Sequence, residues 1–494
     1  MKSELPALPA CASQDASDGA CGLVALEARL TQDLAWLELP SKRWGIPRLH
    51  EGAPVLEVAV IGAGMAGLAA LAVLKHLGID ARAFDRAPEG FEGPWATTAR
   101  METLRSPKHL TGPALGLPAL TFRAWYEAQF GTAAWAGLDK IPRLMWMDYL
   151  RWYRKVLALD VQSGCEVRRI TPRADGMVSL LMRGRLGEHE VMARRVVLAS
   201  GRDGLGGMAV PEFAKALPKT RWAHSSDPLD HANLRDLRVG VVGAGASAMD
   251  SAASALEAGA ARADLFIRRT DLPRINKSKG ALNPGLTHGH FMLPDEWKWR
   301  LRHYINQQQV PPPRNSTLRV SRHPNARFHL GSAVQGAREE NGALVLTTAR
   351  GAFELDFLIF ATGFKVDFAA RPELAAIAPH IRFWRDRFAP PDGQPDTELE
   401  DSPDLGPAFE FQSKGRAVCP GLSSIHCFCW PATLSHGAIS GDIPSISEGA
   451  ERLGQGIAAL LYREDVAAHF AALEAYAEPE LLGDEWTRWP GPDD

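Results

Sequence analysis

Val58-Ala59-Val60-Ile61-Gly62-Ala63-Gly64-Met65-Ala66-Gly67 decides the fold of this 494-residue chain. The apolar run Val58 to Ile61 reads as a buried parallel strand, and the glycine spacing turns it into Leu68 to Leu77, an Ala- and Leu-rich run that reads as a helix. Each glycine has its own task. Gly62 permits a tight turn, Gly64 lets the backbone approach a pyrophosphate, and Gly67 lets the helix pack on the strand. Met65 and Ala66 then lie at the positive helix end, where N–H groups face an anion. The next strand, Ala81 to Phe84, runs into Asp85-Arg86. Asp85 lies 21 residues beyond Gly64, where a carboxylate accepts hydrogen bonds from an adenosine ribose.

The same grammar returns at Val239-Gly240-Val241-Val242-Gly243-Ala244-Gly245-Ala246-Ser247-Ala248. Here Ala248 replaces the third glycine, and the following strand, Ala263 to Ile267, ends in Arg268-Arg269 with no acid at its tip. Paired guanidinium groups suit a ribose 2′-phosphate, whereas a carboxylate suits a free 2′-hydroxyl. The first turn therefore predicts FAD and the second, through Gly243, Gly245, Ala246, Ser247, Arg268 and Arg269, predicts NADP(H). Each copy closes on another buried strand, Arg195 to Ser200 ending at Gly201 and Leu355 to Thr362 ending at Gly363.

The predicted architecture is α/β, with two Rossmann-like dinucleotide-binding domains, the NADP domain inserted in the FAD domain, and an N-terminal helical extension. The expected boundaries are 1–54 for the extension, 55–225 for the first part of the FAD domain, 226–335 for the NADP domain, and 336–494 for the second part with C-terminal helices. The length suits about three domains. Within the extension Ala25 to Leu37 has helical spacing. Short strands are expected at Arg327–Leu330, Leu344–Thr348 and Leu355–Phe360, a Pro- and Asp-rich surface excursion at Ala389–Gly406, and a long helix at Ser445–Tyr462.

Composition narrows the function classes. With 55 Lys+Arg against 58 Asp+Glu, the net charge of -3 gives no basic excess for nucleic acid. Six cysteines are too few for a disulfide scaffold, and Cys427-x-Cys429, in an apolar stretch, reads as buried thiols rather than a redox relay. They also lack zinc spacing, so no metal is expected. Glu4, Pro6 and Pro9 interrupt any signal-like run in Met1–Cys11, and no stretch is long enough to span a membrane, so the expected location is cytoplasmic.

Two dinucleotide folds in one chain imply hydride transfer from nicotinamide to flavin. On the motifs above, together with Gly93-Pro94-Trp95, Ala361-Thr362-Gly363-Phe364, His224-Ser225 and Met101-Glu102-Thr103-Leu104-Arg105-Ser106-Pro107, the chain resembles the two-dinucleotide flavin monooxygenases, a superfamily holding flavin-containing monooxygenases, Baeyer-Villiger enzymes and ornithine and lysine N-hydroxylases. Gly93 to Trp95 is similar to the family's Gly-Gly-x-Trp, and Met101 to Pro107 to a flavin-side segment of the N-hydroxylases. The resemblance adds Trp95 and Gly363 to the cofactor-binding set. It implies that NADPH reduces FAD, that O2 forms a C4a-(hydro)peroxide on the flavin, and that one oxygen atom passes to a small molecule at nitrogen or sulfur.

The linker departs from the family pattern. Pro218, Thr220 and Pro228 stand where the flavin-containing and Baeyer-Villiger groups carry Phe, Gly and an aromatic residue. No catalytic side chain is assigned, and His224, His288, His290 and His436 read as structural or surface residues. Asp442 is a candidate for the flavin side of the site. The competing reading is an ordinary helix start with Ser445 as N-cap and Glu448 as its capping-box partner. Substrate-shaping loops are expected at Asn276–Gly289 and Asp392–Gly415. Ketone oxygenation, a flavin reductase or NADPH oxidase, a non-enzymatic dinucleotide sensor, and a homo-oligomer all stay open.

Overall fold

A computed structural model describes residues 18–415, 419–489 and 491; the Met1–Cys11 stretch lies outside them. Two parallel-stranded sheets dominate it. The first has eight strands. Val161–Ser163, Ala81–Asp85, Ala53–Ile61, Gly187–Leu198 and Ile425–Cys427 run parallel in that order, so the predicted strand of the first glycine turn sits at the centre. The long strand Gly187–Leu198 pairs antiparallel with Val178–Gly184 in its first half and joins the parallel layer in its second. Every residue from Val58 to Val60 is buried, which explains the unbroken apolar run.

The second sheet orders Ala326–Leu330, Arg262–Ile267, Arg238–Val242, Phe357–Phe360 and Trp222–His224, all parallel. It draws strands from both sides of the expected 226–335 segment, because the closing strand of the second copy pairs beside its own first strand. The chain then returns to the first sheet through Ile425–Cys427. That return is the expected insertion of one dinucleotide fold in the other.

One predicted strand divides. Gly351–Leu355 pairs antiparallel with Ala343–Thr348, while Phe357–Phe360 enters the parallel sheet. Asp356 marks the break. Its carboxylate accepts from the Arg238 backbone N–H at 2.8 Å and from the Arg238 guanidinium at 2.7 Å, and that hydrogen bonding holds its pKa below the usual carboxylate range. The Ala389–Gly406 excursion is also more than surface. Asp404 is fully buried, satisfied by Arg382 and Arg387 at 2.6 Å each. A buried carboxylate needs such partners, and two arginines pull the segment inward.

The N-terminal helix spans Asp18–Trp36, starting earlier than predicted. It docks on the helix Phe122–Gly137, where a Cβ at Gly22 would lie 1.9 Å from the Ala128 carbonyl oxygen, and Glu27 accepts from the Trp152 indole at 3.0 Å. The extension is thus packed against the first domain. The last long helix spans Ile446–Glu464. Ser445 takes its N-cap position but makes no side-chain cap bond, so the expected capping box does not form.

Buried histidines stabilise the neighbourhood of that helix as neutral rings. His436 stacks on Phe409 at 3.7 Å and bonds the Gly406 carbonyl through Nε2 at 2.9 Å. His426 donates Nδ1–H to the Ala408 carbonyl at 2.7 Å, leaving a bare, buried Nε2. Burial, reinforced by Arg195, lowers its pKa from 6.5 to about 3. The folded state therefore binds fewer protons than the unfolded state between those values, so this contribution is full above pH 6.5 and is lost as pH falls toward 3. His426→Leu is expected to lower stability at neutral pH by about 1 kcal/mol through the lost hydrogen bond. Its stability should then fall less steeply with acid than that of the parent, as read from urea midpoints across the pH series.

Candidate cofactor and substrate cleft

The carboxyl ends of both parallel sheets open on one cleft of about 1550 Å³. Single small-molecule pockets run to roughly 1,000 Å³, so this cleft has room for more than one ligand. Gly62, Gly64, Met65, Ala66, Asp85, Arg86 and Trp95 line it from the first domain, and Gly243, Gly245, Ala246, Ser247, Arg268, Arg269 and Gly363 from the second. Gly67 does not reach the cleft. A Cβ there would meet the Gly62 carbonyl oxygen at 1.9 Å, which is the close helix-to-strand packing expected of it.

The residues present fit two dinucleotides. The helix Met65–His76 begins at Gly64 and the helix Ala246–Glu257 at Gly245, and neither start has a side-chain cap. The N–H groups of Met65, Ala66, Ala246 and Ser247 are left for an anion. A Cβ at Gly245 would meet no protein atom within 4 Å, and one at Gly64 would meet only the Gly93 backbone, at 3.7 Å. Glycine at these places makes room for something other than the chain. Ala248 is fully buried, so the second helix packs without a third glycine.

Asp85 is already engaged: its carboxylate accepts from Ala63 N–H at 2.7 Å and Ala87 N–H at 2.8 Å, tying the glycine loop to the strand end. A carboxylate offers about four lone-pair sites, so capacity for a ribose remains. At the second turn Arg268 is exposed, whereas Arg269 donates to the Gln307 carbonyl at 2.7 Å. Arg268 is the freer of the pair for a phosphate. Trp95 packs edge-on against Trp146, with ring centroids 6.4 Å apart.

Met101, Leu104, Arg105 and Ser106 also line the cleft. Arg105 lies 3.6 Å from the buried Asp250 on the second glycine helix, and Arg319 approaches the same carboxylate at 3.7 Å. This charge set ties the Met101–Pro107 segment to the inserted domain. Burial lowers the Arg105 pKa, and Asp250 opposes the shift.

No histidine lines the cleft among the described residues. His224 bonds the Gly363 carbonyl at 3.0 Å, and His290 bonds that of Leu434 at 3.0 Å. Cys427 and Cys429 are fully buried, and burial raises the Cys427 thiol. Of the expected substrate loops, Asp392–Gly415 contributes Glu398, Leu399 and Ser402, but Asn276–Gly289 contributes nothing. That loop folds into two short helices whose Thr287 and His288 carbonyls accept from Arg452. Asp442 does line the cleft, where burial raises its carboxyl against the pull of Arg202 and Arg302.

Sequence reasoning missed Arg202, Arg302 and Trp430, which line the same cleft. Arg202 had a signal, since it directly follows the strand end at Gly201 and ligands bind beyond the carboxyl ends of parallel strands. Arg302, on the helix Asp295–Gln308, carried none, and Trp430 was hidden in an apolar stretch.

This fold and cleft are those of FAD- and NAD(P)-dependent oxidoreductases. A family model described as L-lysine 6-monooxygenase/L-ornithine 5-monooxygenase matches residues 134–366, and one described as FAD-NAD(P)-binding matches residues 59–203. The FAD-dependent urate hydroxylase of Xanthomonas campestris is 39% identical over 472 residues, covering 95% of this chain and 98% of the relative. The ornithine hydroxylase of Pseudomonas aeruginosa shares the fold with a TM-score of 0.65 at 18% identity, over 82% of this chain and 98% of that one. The ornithine N-hydroxylase of Kutzneria sp. 744 gives 0.63 at 18%, over 82% and 99%. The chain belongs to the family of flavin-dependent monooxygenases that includes this urate hydroxylase, and it is an enzyme that uses FAD and a nicotinamide dinucleotide.

Gly67→Ala must push the first glycine helix off its strand. The expected result is a loss of about 1–3 kcal/mol in urea unfolding together with a lower FAD content after purification. Arg268→Ser is expected to raise KM for NADPH roughly tenfold to a hundredfold while leaving KM for NADH unchanged, as measured by steady-state kinetics with each donor.

Proposed function

We propose that this enzyme uses NADPH and O2 to hydroxylate a small planar nitrogen heterocycle of the urate kind, one oxygen atom entering the substrate and the other leaving as water. The observation that carries the reading is the 39% identity to a urate hydroxylase across nearly the whole of both chains, against 18% for the ornithine hydroxylases. In this reading Gly62, Gly64, Met65, Ala66, Asp85, Arg86 and Trp95 hold FAD. Gly243, Gly245, Ala246, Ser247, Arg268, Arg269 and Gly363 hold NADPH.

Bound FAD supplies hydride acceptance from the nicotinamide and the activation of O2. The chain's own part is positional. The two uncapped helix starts bind the pyrophosphates, Asp85 orients the adenosine ribose, and Arg268 selects the phosphorylated donor. The absence of histidine from the cleft wall among the described residues agrees with a protein that aligns reactants rather than supplying a nucleophile.

Hydroxylation of an amine nitrogen is the second reading. It is favoured by the lysine/ornithine family model over residues 134–366 and by Met101–Pro107, part of which lines the cleft. The deciding experiment supplies NADPH with urate, L-ornithine, L-lysine, a sulfide or a ketone, and follows products by mass. Gain of one oxygen on urate, with NADPH consumed in step, is the expected outcome. Oxygen gained only on an amine, a sulfide or a ketone, or NADPH consumed into hydrogen peroxide with every substrate, overturns the reading.

A further inference from the structure

One end of the cleft carries a charge cluster that no cofactor motif explains. The Arg202 guanidinium lies over the Trp430 indole at 4.1 Å from the ring centroid, and the Arg302 guanidinium at 5.2 Å. These residues come from distant parts of the chain. Arg202 follows the strand Gly187–Leu198, Arg302 belongs to the helix Asp295–Gln308, and Trp430 follows the strand Ile425–Cys427. The Trp430 backbone N–H donates to the Gly201 carbonyl at 3.3 Å. Gly441 packs on the same indole, since a Cβ there would come within 3.5 Å of it. The platform is therefore fixed by main chain on two sides.

Glu398 and Asp442 line the same end. Among the described residues, no ion pair within 4.0 Å joins either carboxylate to Arg202 or Arg302. Burial raises both carboxyls against the pull of the nearby arginines, and the guanidinium groups stay charged. Neither guanidinium is held in an ion pair among the described residues, so both keep donors for a ligand. The Arg302 guanidinium is desolvated by burial and has no ion-pair partner among the described residues, a cost that a bound anion offsets.

We propose that Arg202, Trp430 and Arg302 form the substrate-recognition end of the cleft, and that it takes a planar anionic ring bearing adjacent carbonyl and N–H groups, as purine diones and triones do. Each guanidinium fork matches a ring edge where a carbonyl oxygen neighbours a deprotonated ring nitrogen, and its plane, backed by the indole, offers a stacking face. Glu398 and Asp442 accept from the ring N–H groups. An aliphatic ammonium group meets two arginines and is disfavoured. This rests on the heterocycle reading above, and its test uses binding rather than turnover, so the two can fail separately.

The FAD-loaded, oxidised enzyme is titrated with urate by calorimetry in the absence of NADPH, with L-ornithine as the comparison ligand. Arg202→Gln, Arg302→Gln and Trp430→Leu are measured alongside, with flavin content and NADP+ affinity as controls. The expected result is urate binding that weakens roughly tenfold to a hundredfold in Arg302→Gln and Trp430→Leu with both controls unchanged, and no ornithine binding. Arg202→Gln, at an exposed position, keeps the test decisive should a more buried variant fail to fold. Urate affinity equal to that of the parent in all three variants, absence of urate binding by the parent, or preferred ornithine binding overturns the proposal. Urate that binds through the cluster yet gains no oxygen when NADPH is added leaves this site standing and overturns the heterocycle hydroxylase reading alone.

Discussion

The Gly62 carbonyl oxygen occupies the space that a side chain at residue 67 would need. That single steric constraint presses the helix Met65–His76 onto the strand Ala53–Ile61 and aims its uncapped start into the cleft. Everything else in the first domain supports the same geometry. Asp85 ties the loop to the neighbouring strand, and a Cβ at Gly62 would strike the Ala199 carbonyl oxygen at 2.6 Å, so the closing strand is equally close. Helix and strands converge on one point, and the positive end of the helix faces it.

The second domain reaches the same arrangement by a different balance. It gives up the third glycine, packs Ala248 in the core, and carries arginines where the first domain has an acid. Its insertion between the strands of the first sheet turns the two glycine turns toward one space. The Arg105–Asp250–Arg319 set crosses the junction beside the cleft. Arg319 also binds Glu257 at 2.6 Å and lies 3.5 Å from Glu102, so charges from both domains meet there. This junction fixes the two glycine turns relative to each other.

Much of this was legible because glycine spacing, strand runs and the residue at a strand tip are local signals with a steric or electrostatic cause. The parallel order of the strands, the insertion and the glycine turns that open on the cleft follow from them. What was not legible depends on distant pairing. Leu355–Phe360 reads as one strand until Asp356 is seen gripping Arg238, and Ala389–Gly406 reads as surface until Arg382 and Arg387 are seen drawing Asp404 inward. Ser445 and Glu448 obey the local rule for a helix start, but Ser445 makes no side-chain cap, while Ser447 donates to Gly112 and accepts from Leu115. The charged end of the cleft is the same kind of case: three segments far apart in sequence meet at one indole.

Under the proposed function the first glycine turn holds FAD and the second holds NADPH across a shared cleft. A crystal structure of the enzyme grown with both cofactors tests it most directly. The expected result is the flavin pyrophosphate at the start of the helix Met65–His76 and the donor's 2′-phosphate against Arg268. Flavin at the Gly243 turn, or a 2′-phosphate turned away from both Arg268 and Arg269, would contradict it.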